Sequence, residues 1–145
     1  NTEVWGMDIS PEALELAQAN AHQLKLDVHW KLASLFEVDF ENKQFNAIVS
    51  NPPYIPANEA ESMEEHVLAH EPHLALFVPD NDALLFYRSI AQKAKKWLKE
   101  NGHLYFEIHP DYAIELVKML EVQGYNSIEL RNDLQDRPRM VKAIL

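Results

Sequence analysis

The chain contains no cysteine, so neither a disulfide framework nor a thiolate metal site can form. That fits a reducing compartment, and a cytoplasmic location is the expectation. No apolar run approaches the ~20 residues that cross a bilayer, and the opening NTEVWGMD is not a signal peptide. A soluble protein without a membrane partner is therefore expected. Basic residues are few: 13 Lys and Arg stand against 23 Asp and Glu, a formal net charge of −10. Nucleic-acid binders draw much of their affinity from cations that neutralise phosphates, so this balance argues against DNA or RNA as the main ligand. The nearest basic cluster, Lys93, Lys95, Lys96 and Lys99, falls beside a regular apolar stripe and reads as a solvated helix face. Glycine is scarcer still. Only Gly6, Gly102 and Gly124 occur, and no glycine-rich loop can be drawn from them. The seven histidines show no metal-ligand spacing; His66 and His70 stand at i, i+4 without an HExxH pattern and read as surface residues. No metal site is expected.

What is present is enough for one packed domain: 145 residues, 47% of them hydrophobic. Val4 to Met7 is an apolar strand running into Asp8. Ser10, Pro11 and Glu12 then supply an N-cap, a first-turn proline and a first-turn acid. Leu14, Ala17, Ala21 and Leu24 follow at helical spacing. Strands are expected over Val28–Leu32, Phe45–Ser50 and His103–Ile108. An amphipathic helix carrying Leu84, Tyr87, Ala91, Ala94 and Leu98 is expected from Asp82 to Gly102, and another over Asp111–Gln123. Residues 57–70 are acidic and read as a loop with a helical turn. Ser127–Arg131 and Met140–Leu145, joined by NDLQDRPR, suit a hairpin. Alternating strands and helices imply an α/β fold with an open, mostly parallel sheet and an antiparallel C-terminal strand. Such sheets bind ligands beyond the carboxyl ends of their strands, where Asp8 and Asn51 both stand.

The segment Asn51-Pro52-Pro53-Tyr54 carries the most chemistry. Any specified tetrapeptide of these residues arises by chance at roughly one position in 10⁵. The prolines fix φ and remove two donors, and Pro52 holds Asn51 extended. The Asn51 side-chain oxygen and the Pro52 carbonyl then offer two acceptors at an angle, which suits an –NH₂ group. Tyr54 offers a flat face to the group that bears it. An amide nitrogen is a poor nucleophile because its lone pair is delocalised. Holding both N–H bonds toward fixed acceptors aims it at an electrophilic methyl, which is catalysis by positioning and preorganisation. The plainer alternative is a rigid turn after a strand.

Val4 to Leu14, with Ala17 and Asn20, resembles the motif that follows the second strand of class I methyltransferases. Val49 to Pro56, Glu71-Pro72 and Leu74-Ala75-Leu76 resemble the HemK/PrmC family of release-factor glutamine methyltransferases. Phe86-Tyr87-Arg88, Phe106-Glu107-Ile108 and Asp133-Leu134 with Arg137 and Arg139 continue the likeness over nearly the whole chain. The resemblance implies a Rossmann-like sheet, S-adenosylmethionine as cofactor and a peptide-chain release factor as substrate partner. It implies that Asp8 bonds the cofactor's ribose hydroxyls and Ile9 packs on its adenine, with Ser34 and Leu35 in the adenine pocket. Asn51, Pro52, Pro53 and Tyr54 would hold the substrate glutamine amide, with Asn51 also beside the cofactor. Glu107, at another strand end, is either structural or in contact with substrate.

Three departures accompany the likeness. Ser34 stands where the family usually has an acid before Leu-Phe, so its bond to an adenine amino group would be weaker. His109-Pro110 follows Glu107-Ile108 where the family tends to place Gly. The family's first strand and glycine-rich turn, and a helical N-terminal domain, would precede Asn1; the chain is expected to be a catalytic-domain fragment, weak or inactive by itself. Such a fragment would close the gap within itself, pair strands with another chain, or leave edges exposed. Two other readings stay open: an adenine-N6 nucleic-acid methyltransferase, which shares the Asn-Pro-Pro-Tyr core, and a non-catalytic module.

Overall fold

The computed structural model describes residues 2–40, 43–62 and 72–145. The chain divides into two compact units, Asn1–Glu41 and Asn42–Leu145.

In the first unit, strand β1 (Trp5–Asp8) pairs in parallel with β2 (His29–Leu32), and helix α1 (Pro11–Gln23) connects them. Ser10 caps α1 as its sequence predicts: its Oγ accepts from the Ala13 amide at 3.1 Å, and Pro11 occupies the first turn. Buried apolar side chains here are Leu14 and Val38. Gly6 lies opposite Trp30 in the ladder, and a β-carbon on Gly6 would stand 2.6 Å from Trp30 Cε3. The glycine is there because the indole occupies the space.

The second unit is built on a four-stranded sheet in the order β3 (Phe45–Ser50), β6 (Leu98–Glu107), β8 (Pro138–Ile144), β7 (Asn126–Asn132). β3 and β6 are parallel, while β8 is antiparallel to both β6 and β7. One strand, β8, thus runs against the rest, as the hairpin pattern implies. A second, two-stranded parallel pair joins β4 (Ile55–Pro56) to β5 (Phe77–Val78). Helix α2 (Leu85–Trp97) supplies Tyr87, Ile90, Ala91, Ala94 and Trp97 to the core. Helix α3 (Ala113–Val122) adds Ala113, Leu116 and Leu120. They are buried with Leu104, Phe106 and Ile108 of the β6 region and Val141 and Ala143 of β8. The Tyr87 and Phe106 rings meet edge to face at 5.1 Å, and Tyr125 Oη donates to the Ala91 carbonyl at 2.8 Å.

The helix expected to run from Asp82 to Gly102 is shorter. It begins at Leu85 and stops at Trp97, because Leu98 is extended (φ −83°, ψ 145°) and already pairs with Phe45. The ladder then jumps from Phe45–Leu98 to Ala47–His103, so residues 99–102 form a bulge within β6. Asn101 takes a left-handed φ of 60° there. A β-carbon on Gly102 would meet the Lys99 carbonyl oxygen at 2.7 Å; this glycine marks a tight bulge rather than a helix end. Gly124, with φ 87°, does end α3, and Tyr125 N returns to the Leu120 carbonyl at 3.0 Å. Pro110–Tyr112 is a 3-10 turn leading into α3, and Ala57–Ser62 is another following β4. His66 and His70 lie outside the described residues. Among those described, no helix is long and apolar enough to cross a membrane.

Candidate functional site

Within the first unit, four sequence-predicted residues gather at the carboxyl ends of β1 and β2. Asp8 pairs with Leu32, and the Ala33 amide donates to the Asp8 carbonyl at 3.0 Å, so Ser34 and Leu35 follow directly beside Asp8 and Ile9. Asp8 is exposed, and its Oδ1 accepts from the Ser10 amide at 2.9 Å. That bond orients the carboxylate at the helix start, so the helix-start role and an acceptor role are compatible. Ile9 leaves half its surface open (51%). Ser34 Oγ accepts from the Phe36 amide at 3.3 Å, which folds the turn after β2. An exposed carboxylate, an open aliphatic face and a hydroxyl at adjoining parallel strand ends fit a ribose and an adenine.

Within the second unit, Asn51 to Tyr54 leaves β3, and Glu107 closes β6. Ser50 pairs with Phe106, so Asn51 and Glu107 depart the sheet at the same level. Asn51 is exposed, Pro52 is buried, and Pro53 and Tyr54 are half-buried. Tyr54 Oη stands 3.4 Å from Glu107 Oε1, a long hydrogen bond in which the phenol donates. The buried Tyr87 donates its hydroxyl to the Glu107 backbone carbonyl at 3.0 Å. That bond fixes the end of β6 from beneath.

Burial pushes the Tyr54 phenol above its ordinary range, and the Glu107 carboxylate pushes it further; the Arg139 guanidinium, bonded to the same hydroxyl, acts against them. The phenol therefore stays protonated and a donor at neutral pH. Burial likewise raises the Tyr87 hydroxyl. Neither serves as a base.

His109 borders the same turn, its ring edge-on to Tyr54 at 5.9 Å and tilted on Tyr112 at 5.3 Å. Its Nδ1 accepts from the Asp111 amide at 3.2 Å, and its Nε2 faces Glu59 Oε2 at 3.6 Å. The departure His109-Pro110 thus caps the turn into α3 and joins two loops that flank Tyr54. Tyr54, His109, Glu59 and Asp111 line a cleft of about 550 Å³ with Arg137 and Arg139 of the β7–β8 hairpin.

The structure brings Tyr54 and Glu107 together, and settles that Glu107 touches the turn. It adds Glu59, Tyr87 and His109, to which the sequence assigns no role at the site. Tyr87 reads there as one more core position on an amphipathic helix. The return of its hydroxyl to a strand end 20 residues later has no local sequence signal.

Comparison with known proteins follows this geometry. A family model described as a methyltransferase domain matches residues 1–70. The chain is 41% identical over 143 residues to the release factor glutamine methyltransferase of Flavobacterium psychrophilum, covering 99% of the chain and 50% of that protein. It is 38% identical to the release factor glutamine methyltransferase of Bacteroides thetaiotaomicron, covering 99% of the chain and 52% of that protein. The chain spans about half the length of these curated relatives. A methyltransferase structure from Pyrococcus furiosus superposes with a TM-score of 0.68 at 13% identity, over 98% of this chain and 62% of that one. The fold is the Rossmann-like α/β fold of class I methyltransferases.

Proposed function

We propose, for a chain that belongs to the HemK/PrmC family of class I methyltransferases, that the whole protein methylates a glutamine side-chain amide in a peptide-chain release factor. S-adenosylmethionine is the proposed cofactor and, when bound, supplies an electrophilic sulfonium methyl. Asp8 would accept from its ribose hydroxyls, Ile9 would cover its adenine face, and Ser34 and Leu35 would border the base. The open carboxylate and aliphatic face at the ends of β1 and β2 support that assignment.

The observation that carries the reading is the rigid turn after β3. Asn51 Oδ1 and the Pro52 carbonyl would each accept one N–H of the substrate amide. The Tyr54 ring, held at its hydroxyl by Glu107 and Arg139, would cover the amide plane. Two fixed acceptors orient the nitrogen lone pair and stabilise the positive charge that develops on it. No general base is required: once the nitrogen is positive, its proton can pass to water. The acceptors act by position, which a turn containing two prolines supplies at little conformational cost.

Mass spectrometry of a release factor incubated with the whole protein and S-adenosylmethionine tests the reading. One added methyl on a glutamine side chain is expected. A release factor recovered unmodified, under conditions where the protein binds the cofactor, would remove the substrate assignment.

A further inference from the structure

We infer that the cleft beside Tyr54 is a subsite for the substrate's peptide chain, in which Arg137 donates to an oxygen next to the methylated residue. The inference rests on the proposed function and names where that substrate lies.

The cleft's polar groups are nearly all committed. Glu59 faces His109 Nε2, and His109 Nδ1 takes the Asp111 amide. Arg139 gives its Nε to Asp133 Oδ2 at 3.3 Å and also bonds the Tyr54 hydroxyl. The Arg137 guanidinium has no hydrogen bond or ion pair with any described residue, and it is exposed at the cleft wall. Its backbone, by contrast, is held firmly. Asp133 Oδ1 accepts from the amides of Gln135 at 2.8 Å and Arg137 at 3.1 Å, and the Asp133 amide donates to the Arg137 carbonyl at 2.8 Å. Asp136 turns the chain with φ 62°, and Asn132 Nδ2 bonds its carboxylate at 2.7 Å. A fixed anchor thus carries an uncommitted planar donor to within one cleft of the aromatic ring that would cover the amide.

A guanidinium pairs best with oxygen acceptors, side by side. A volume of about 550 Å³ lined by aromatic rings, Ile55 and Pro110 takes a short peptide segment. Peptides supply such oxygens as main-chain carbonyls or acidic side chains.

The test is steady-state methylation of a release factor by the whole protein as wild type, Arg137→Ala and Arg137→Lys. Arg137→Ala should raise KM about tenfold and leave kcat within about twofold, with Arg137→Lys recovering part of the loss. Wild-type KM should rise with salt more steeply than that of Arg137→Ala. Unchanged KM, or a loss confined to kcat, would overturn the inference while sparing the functional reading. No transfer by the wild type would instead defeat that reading. Neutral replacements of acidic residues beside the glutamine separate the two oxygen sources: an Arg137 effect that disappears marks a carboxylate, and one that persists marks the main chain.

Discussion

The Tyr54 hydroxyl and the Glu107 carboxylate, 53 residues apart in sequence, meet at 3.4 Å where two neighbouring parallel strands end. The pairing ties the turn after β3 to the end of β6. It makes Glu107 a positioning residue for the ring that would face the substrate. Tyr54→Phe keeps the ring and loses a long bond, so kcat should fall only about two- to fivefold. Glu107→Ala should fall by a similar factor, and the double variant should be no worse than either single one, because both remove one interaction. Tyr54→Ala removes the ring itself and should cost far more. Initial rates on one substrate preparation decide this; fully additive single effects would show that the two residues act separately.

Asp8 is predicted to act in cofactor binding rather than in chemistry. Asp8→Ala should weaken the whole protein's binding of S-adenosylhomocysteine about tenfold to a hundredfold, the loss of charge-assisted bonds to hydroxyls. Titration calorimetry measures it directly. Unchanged affinity would return Asp8 to the plainer role its bond to the Ser10 amide already shows.

Gly6→Ala should destabilise the protein by about 1–3 kcal/mol, since the new methyl overlaps the Trp30 ring. Trp30→Val in the same chain should recover part of the loss. Denaturant midpoints of the three variants test the pairing, and a Gly6→Ala chain as stable as wild type would refute it.

Stability at alkaline pH should carry a signature of Tyr125. Burial raises its phenol from the ordinary 10 to about 12, and the hydroxyl donates to the Ala91 carbonyl. A pKa raised in the folded state means that the native chain holds the proton more tightly. Its contribution is therefore complete below pH 10 and is lost as pH rises from about 10 through about 12. Tyr125→Phe should cost about 1 kcal/mol at neutral pH and should flatten the alkaline fall. An unaltered slope between those pH values would assign the fall to other groups.

Much of this architecture can be read from the sequence because its signals are local. Ser10-Pro11-Glu12 starts α1 where capping chemistry places it, and NDLQDRPR forms the turn of the β7–β8 hairpin. The same locality explains the misplaced end of α2. Leu98 continues the helical apolar stripe, yet its partner is Phe45, and only a contact distant in sequence pulls it into a strand. At the site, Asn51 to Tyr54 is legible because two prolines constrain their neighbours. Glu107 is ambiguous in sequence because its role depends on the level at which β3 and β6 end. Arg137 and Arg139 carry a family likeness in sequence, but only the folded hairpin sets them beside Tyr54.

The central claim is that Asn51 holds a glutamine amide for methylation. The most direct measurement follows label from S-adenosylmethionine with the whole protein, wild type against Asn51→Ala, offered a release factor, its glutamine-to-alanine variant and duplex DNA. The account predicts label in the unaltered release factor alone, reduced about a hundredfold or more by Asn51→Ala. Label retained by the Asn51→Ala protein, or label entering DNA in place of the release factor, would contradict it.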